Sequence, residues 1–336
     1  MRTLVISDLH LGSITRRDVL RRPAALEALL GALDGVDRLV LLGDTVELLE
    51  GAPRRAMRTA RPVLEELGWA MGRGREIVLV PGNHDHALIR PWLRARRAAR
   101  KRIGLSSAVA AASSSGIEDV VGWLRPARVR VRYPGFWLAP RVWAHHGHYL
   151  DRHLVRREAV PAPRASAEDY ERALGVSIAA FGALMATALP GPLGEPADRV
   201  AGLVRRAGVA AVPLAAALPG FPSLAPFSAG FLGLQFRRAG LPAMAAVVDR
   251  LGIKADHVVF GHVHRGGPRV GDRVAEWAPT GRPRLWNSGC WVYEPLLLAG
   301  SQPPHPYWPG GGILVEDGGP PRPVSLLDGV DRRALQ

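Results

Sequence analysis

An α/β fold with a helical insertion in its second half is what this 336-residue sequence predicts. Three observations carry that reading. Five short aliphatic and β-branched runs each end in a polar motif, helix-like stretches separate the first of those runs, and later strand-like runs follow one another with only Pro- and Gly-rich turns between them.

Thr3 to Ser7 runs without polar interruption and meets a loop, as a short buried strand does. The pattern recurs at Arg38 to Leu42, Glu76 to Val80, Val142 to Ala144 and His257 to Phe260. Helical stretches at Pro23 to Leu33 and Arg55 to Met71 make strand and helix alternate, and continuous apolar strands imply a sheet covered on both faces. Pro283 to Asn287 and Gly312 to Glu316 read as further strands with no helix between them, which a second, more antiparallel sheet would accommodate.

The middle of the chain differs in composition. Ala207 to Phe236 holds no charged residue, but Pro213, Pro219, Pro222 and Pro226 interrupt it too often for one membrane-spanning helix, and the apolar run Val176 to Leu189 is too short to span. The expected organisation is therefore a core formed by residues 1–150 and 246–336, with residues 151–245 as an apolar helical insertion. That insertion either packs its apolar faces internally or forms a lid or membrane-resting surface.

Hydrophobic residues at 47% and charged residues at 22% exclude a disordered or fibrous protein. The net charge of +14 and a pI near 11.2 favour anionic partners without choosing among phosphorylated metabolites, nucleic acid and an acidic membrane. The densest basic run, Arg94, Arg96, Arg97, Arg100, Lys101 and Arg102, would spread around a helix, so a solvated helix is favoured over a nucleic-acid arm. Cys290 is the only cysteine, which excludes an intrachain disulfide, and the opening Met-Arg-Thr-Leu-Val-Ile-Ser lacks a long apolar leader; the cytoplasm is the expected location.

The polar motifs carry the chemistry. Asp8 and His10 alternate at the end of the first run, so one carboxylate and one imidazole face the same side. Gly43-Asp44-Thr45-Val46-Glu47 follows the second run, with the glycine permitting a tight turn that presents Asp44, whose two oxygens suit a bridge between two ions. Gly82-Asn83-His84-Asp85 follows the third and offers a neutral oxygen from Asn83 beside a titratable His84, a candidate proton donor. His145-His146-Gly147-His148 and Gly261-His262-Val263-His264 put imidazoles at the ends of two later runs, and open α/β sheets hold ligands at such carboxyl ends.

Asp-x-His, Gly-Asp-x-x-Glu, Gly-Asn-His-Asp, His-Gly-His and Gly-His-x-His, in that order, resemble the signature of the calcineurin-like metallophosphoesterases over roughly residues 1–150 and 246–295. The resemblance implies a sandwich of two mixed β-sheets flanked by helices. It also implies that Asp8, His10 and His264 hold one metal, that Asn83, His146 and His262 hold a second, and that Asp44 bridges them. His84 would act as acid or transition-state stabiliser with Asp85 orienting it. Two ions about 3.5 to 4 Å apart would activate a bridging hydroxide for attack on phosphorus and neutralise the phosphoryl oxygens. Ligands of carboxylate, amide and imidazole without thiolate suit Mn²⁺, with Fe²⁺ or Zn²⁺ as alternatives.

His148, with Asp151, is a candidate supporting or substrate-contacting group, and Arg265 a candidate phosphate clamp. Asn287 is read as a turn former. Ser-Asp-Leu-His-Leu-Gly and the long insertion are similar to UDP-2,3-diacylglucosamine pyrophosphatases. That similarity implies a phosphorylated or pyrophosphate substrate, lipid-linked or nucleotide-linked, and peripheral contact at the inner membrane face. A nuclease or cyclic-nucleotide phosphodiesterase acting on nucleic acid or nucleotides is the alternative, and a non-catalytic scaffold a third reading.

Overall fold

The computed structural model describes residues 1–154, 164–174, 240–298, 301–317 and 319–336. The chain opens with three parallel strands, β1 (Arg2–Ile6), β2 (Arg38–Leu42) and β3 (Glu76–Val80), in adjacent register. Helices α1 (Pro23–Ala32) and α2 (Pro53–Met71) join them, each with proline at its first position, where a missing N–H costs nothing.

Strand period decides what each residue packs against. Leu4, Ile6, Leu39, Leu41, Ile77 and Leu79 face the helices and meet Leu29, Leu64 and Leu67, while Val5, Val40, Leu42, Val78 and Val80 face the opposite way. There they meet Phe136, Leu138, Val142, Ala144, Val259 and Trp286 from a second layer of strands. Both faces are covered, which is why the strands read as unbroken apolar runs.

The two layers of this sandwich belong to one hydrogen-bonded path that runs β10 (Arg322–Ser325), β9 (Gly311–Glu316), β1, β2, β3, β5 (Arg128–Ala139), β6 (Val142–His145), β7 (His257–Phe260), β8 (Arg284–Asn287), with β4 (Ser106–Val109) paired to β5. The hinge between them is β5 (Arg128–Ala139): its first half pairs parallel with β3 and its second half antiparallel with β6 (Val142–His145). Gly135 stands where the strand changes partner. A Cβ there would lie 2.4 Å from the Ala144 carbonyl oxygen and 2.6 Å from the Trp143 ring, so only glycine lets the layers cross so closely.

Strands β7 (His257–Phe260) and β8 (Arg284–Asn287) continue the second layer in parallel, whereas β9 (Gly311–Glu316) pairs antiparallel with β1 and with β10 (Arg322–Ser325). This corrects the expectation that Pro283 to Asn287 and Gly312 to Glu316 share a second, antiparallel sheet. After β8 the chain is tied back to the first layer by Trp291 N–H on Asp8 O (3.0 Å) and Val19 N–H on Trp291 O (3.1 Å), so the next strand lands beside β1.

The outer face of the second layer is covered by the helix Leu241–Leu251, whose Met244, Val247 and Val248 pack with Trp143, Val258, Phe260 and Leu285. That helix straddles position 246. Val176 to Leu189 and Ala207 to Phe236, on which the lid and packed-insertion readings turn, lie outside the described residues. Among the described residues no helix is long and apolar enough to cross a membrane. The basic run falls on α3 (Arg90–Ala98) and the turn after it.

Candidate metal centre

The rim loops after β1, β2 and β3 are laid side by side by backbone bonds: Asp8 N–H to Gly43 O at 3.1 Å, His10 N–H to Asp44 O at 2.8 Å, and Leu48 N–H to His84 O at 3.2 Å. Gly43 has φ +86°, and a Cβ on it would sit 2.3 Å from the His146 ring, so the turn that presents Asp44 also makes room for His146.

Asp8 is fully buried: Ser7 Oγ and the His262 N–H (2.9 Å) donate to its Oδ2, while Oδ1 lies 3.3 Å from His264 Nε2. His10 Nε2 lies 3.3 Å from His264 Nε2 and 3.7 Å from Asp44 Oδ2. Asp44 Oδ2 is in turn 3.1 Å from His146 Nε2, and Asn83 Oδ1 lies 3.1 Å from the same nitrogen. Two donor groups result, Asp8–His10–His264 and Asp44–His146–His262, with His10, Asp44 and His84 forming a third overlapping set; within each, the candidate ligand atoms lie within 4.8 Å of one another.

These donors fit divalent cations. His146 Nδ1 donates to the Leu42 carbonyl at 2.9 Å, which leaves the Nε2 lone pair facing the Asp44 and Asn83 oxygens. Acceptors that converge in this way repel unless a cation or a proton lies among them. The carboxylates favour positive charge at that point: burial would lower His146, but the Asp44 and Asp8 charges hold it up at about 10. The opposed Nε2 atoms of His10 and His264 pose the same problem. Backbone strain points the same way. Asp8, His10, Asp44, His262 and His264 have φ between 45° and 71°, a left-handed conformation that costs about 1–3 kcal/mol at a residue with a side chain. Cys290 offers no competing thiolate, because burial pushes its thiol up.

One group that supports the centre, Glu47, was given no role by the sequence reading, and Asp151, a candidate supporting group there, does reach the centre. Glu47, 1% exposed, accepts from His10 Nδ1 at 2.8 Å and from His84 Nδ1 at 2.7 Å. Burial would raise its carboxyl, but those two hydrogen bonds hold it at about 2. Its signal in the sequence was the Glu that closes Gly-Asp-x-x-Glu, a carboxylate between Val46 and Leu48. Asp151 Oδ1 lies 2.8 Å from His262 Nε2.

The role expected of Asp85 needs correction. Its oxygens accept the backbone N–H groups of Thr45 (2.8 Å) and Gly82 (2.6 Å), so it ties the second and third rim loops together, and the carboxylate on His84 is Glu47. Burial, reinforced by the Asp44 charge, lifts Asp85 to about 6. Arg265 is likewise not a free clamp: its guanidinium is paired with Asp272 and lies over the Trp277 ring, 5.5 Å from its centroid. His148 is 2% exposed, stacked on His145 and 3.3 Å from Tyr133 Oη, beneath the centre and out of a substrate's reach. Asn287 donates to Gly261 O at 2.9 Å and accepts from the Gly289 N–H at 2.9 Å, which fixes the loop that carries His262.

The family model described as calcineurin-like phosphoesterase matches residues 1–171, just over half of the chain. The chain belongs to the calcineurin-like phosphoesterase family. As a member it is a metal-dependent phosphoesterase. His262 and His264 lie beyond the matched segment; the geometry brings them to Asp8 and His146. Among solved structures the chain is similar to a phosphoesterase from E. coli, Yfce, at 14% identity, over 94% of this chain and 89% of that one. With a TM-score of 0.32, that likeness carries no argument. No curated protein matches the chain.

Proposed function

We propose that this phosphoesterase uses two divalent ions, Mn²⁺ by the nature of the donors, to hydrolyse a phosphoester or pyrophosphate bond of a lipid-linked or nucleotide-linked substrate. The observation that carries the reading is Asp44, which lies between two donor groups and belongs to both overlapping sets around it. When bound, two such ions supply an activated water and neutralise the phosphoryl oxygens. In this reading Asp8, His10 and His264 hold one ion, Asn83, His146 and His262 the other, and Asp44 both.

His84 then handles the leaving group. Its side chain is 25% exposed while Glu47 beneath it is 1% exposed, so the imidazole is reachable from solvent and fixed from behind. The Glu47 bond occupies Nδ1 and leaves Nε2 to donate to a departing oxygen. Burial lowers His84, but Glu47 and Asp44 outweigh it and hold the proton on to about 9 in the metal-free centre. The uncharged run Ala207 to Phe236 supports a lipid-linked substrate, and the net charge of +14 supports any anionic one.

The test is turnover by Mn²⁺-loaded protein on bis(p-nitrophenyl) phosphate, a nucleotide-linked pyrophosphate, a lipid-linked pyrophosphate and DNA. Preferential cleavage of a pyrophosphate or small diester supports the proposal. Preference for DNA would move it to the nuclease reading, and no turnover of any of them would overturn it.

A further inference from the structure

The turn that carries His84 runs through His86 into α3, and α3 is crowded with cations. Arg94, Arg97, Arg100 and Lys101 are exposed, and among the described residues none has a carboxylate within ion-pair distance. Facing them is segment 164–174, whose two nearby acids are committed elsewhere. Glu168 accepts from the Ile103 N–H, and Glu171 accepts from Tyr149 Oη (2.6 Å), His86 Nε2 (2.9 Å) and Tyr133 Oη.

Between the two lies a cleft of about 1010 Å³, in whose lining eight Arg and Lys side chains face those two spent carboxylates. Basic residues in a last helical turn complement the helix dipole. That accounts for Arg96 and Arg97 at the end of α3, not for Arg90 at its start; on the opposite wall Arg172 pairs with Asp169 at 3.1 Å. Like charges held around one concavity repel one another, and a multivalent anion would relieve them. Guanidinium groups match phosphate oxygens in a two-pronged geometry. The volume lies at the upper end of the range for small-molecule sites, and a concave cleft suits a discrete ligand better than a membrane plane.

We propose that this cleft binds a polyphosphorylated small molecule of nucleotide size. On the phosphoesterase reading above, that molecule is the remote, phosphate-bearing part of the substrate, because His86 lines the cleft two residues on from His84. The cleft then selects substrates carrying more than one phosphate.

The test is equilibrium binding of the methylene-bridged, non-hydrolysable analogue of ADP to the Mn²⁺-loaded protein, wild type against the triple variant Arg94→Gln, Arg97→Gln, Lys101→Gln. Exposed substitutions of this kind leave the fold in place, which an unchanged melting temperature and manganese content would verify. The expected result is binding weakened about tenfold or more in the variant, with the AMP analogue weakened less. Equal affinities, or no binding by the wild type at millimolar analogue, would overturn the proposal. So would wild-type binding to anionic vesicles that the triple variant loses while analogue binding is unmoved. Should the wild type bind the analogue through these residues yet turn over no phosphoester, the activity reading fails and the cleft stands.

Discussion

Glu47 Oε2 lies 2.7 Å from Nδ1 of His84, and it is this buried carboxylate that fixes the imidazole's orientation. Glu47→Gln keeps the shape and loses the charge. Loss of a partner behind a ligand or a catalytic histidine costs about 10–100-fold in metal affinity or activity. We expect kcat on bis(p-nitrophenyl) phosphate to fall by that order and metal affinity to weaken through His10, which Glu47 also holds. A variant with wild-type kcat and metal affinity would remove Glu47 from the account.

His84→Ala should separate proton donation from metal binding. General acid catalysis contributes about 10²–10⁴-fold, so kcat should drop within that range for a substrate with a poor alkoxide leaving group and by less for p-nitrophenolate. Steady-state kinetics on the two substrates reads this directly. An equal loss on both would mean that His84 serves the site in another way.

Metal loading should release protons. Against burial, the Asp44 and Asp8 charges hold His146 at about 10, so it carries a proton at neutral pH that an arriving ion must displace, and Glu47 raises His10 in the same direction. Apparent metal affinity should therefore rise as pH goes from about 7 toward 10 and fall on acidification. The same raised values favour the folded metal-free chain below the ordinary histidine value near 6.5, a contribution lost as pH rises through about 10. Calorimetric titration of Mn²⁺ in buffers of different ionisation enthalpy measures the protons released. A pH-independent affinity with no release would contradict the assignment of His146.

Gly43→Ala should destroy the centre without touching a ligand. The new methyl would meet His146 side-chain atoms at 2.3–2.6 Å in a backbone with φ +86°, and overpacking of this kind costs about 1–3 kcal/mol before the strained turn is counted. Gly31→Ala in α1 is the control: nothing lies within 4 Å of the added methyl, and alanine in a helix is favoured by about 0.5–1 kcal/mol. Thermal melts and metal content should fall for the first and hold or rise for the second. Equal behaviour would show that the Gly43 turn tolerates a side chain.

What the sequence disclosed follows from how local each signal is. Short apolar runs ending in Asp8, Asp44, Asn83, His146 and His262 were legible because strand and motif are contiguous, and the structure brings those residues to one rim. The double role of β5 was not legible: nothing in Arg128 to Ala139 marks the change of partner except Gly135. The resemblance implied Asp85, the neighbour of His84 in sequence, as its orienting group, whereas the carboxylate that does so, Glu47, reaches it from 37 residues away. Arg265 looked free because its partner Asp272 is met only when the intervening loop folds back.

The account turns on Asp44 serving two ions, and metal content measures that most directly. After reconstitution with Mn²⁺ and removal of excess, the wild-type chain should hold two ions and Asp44→Ala one or none, with turnover abolished. A wild type that holds a single ion, or an Asp44→Ala variant that retains two, would contradict the shared-carboxylate centre.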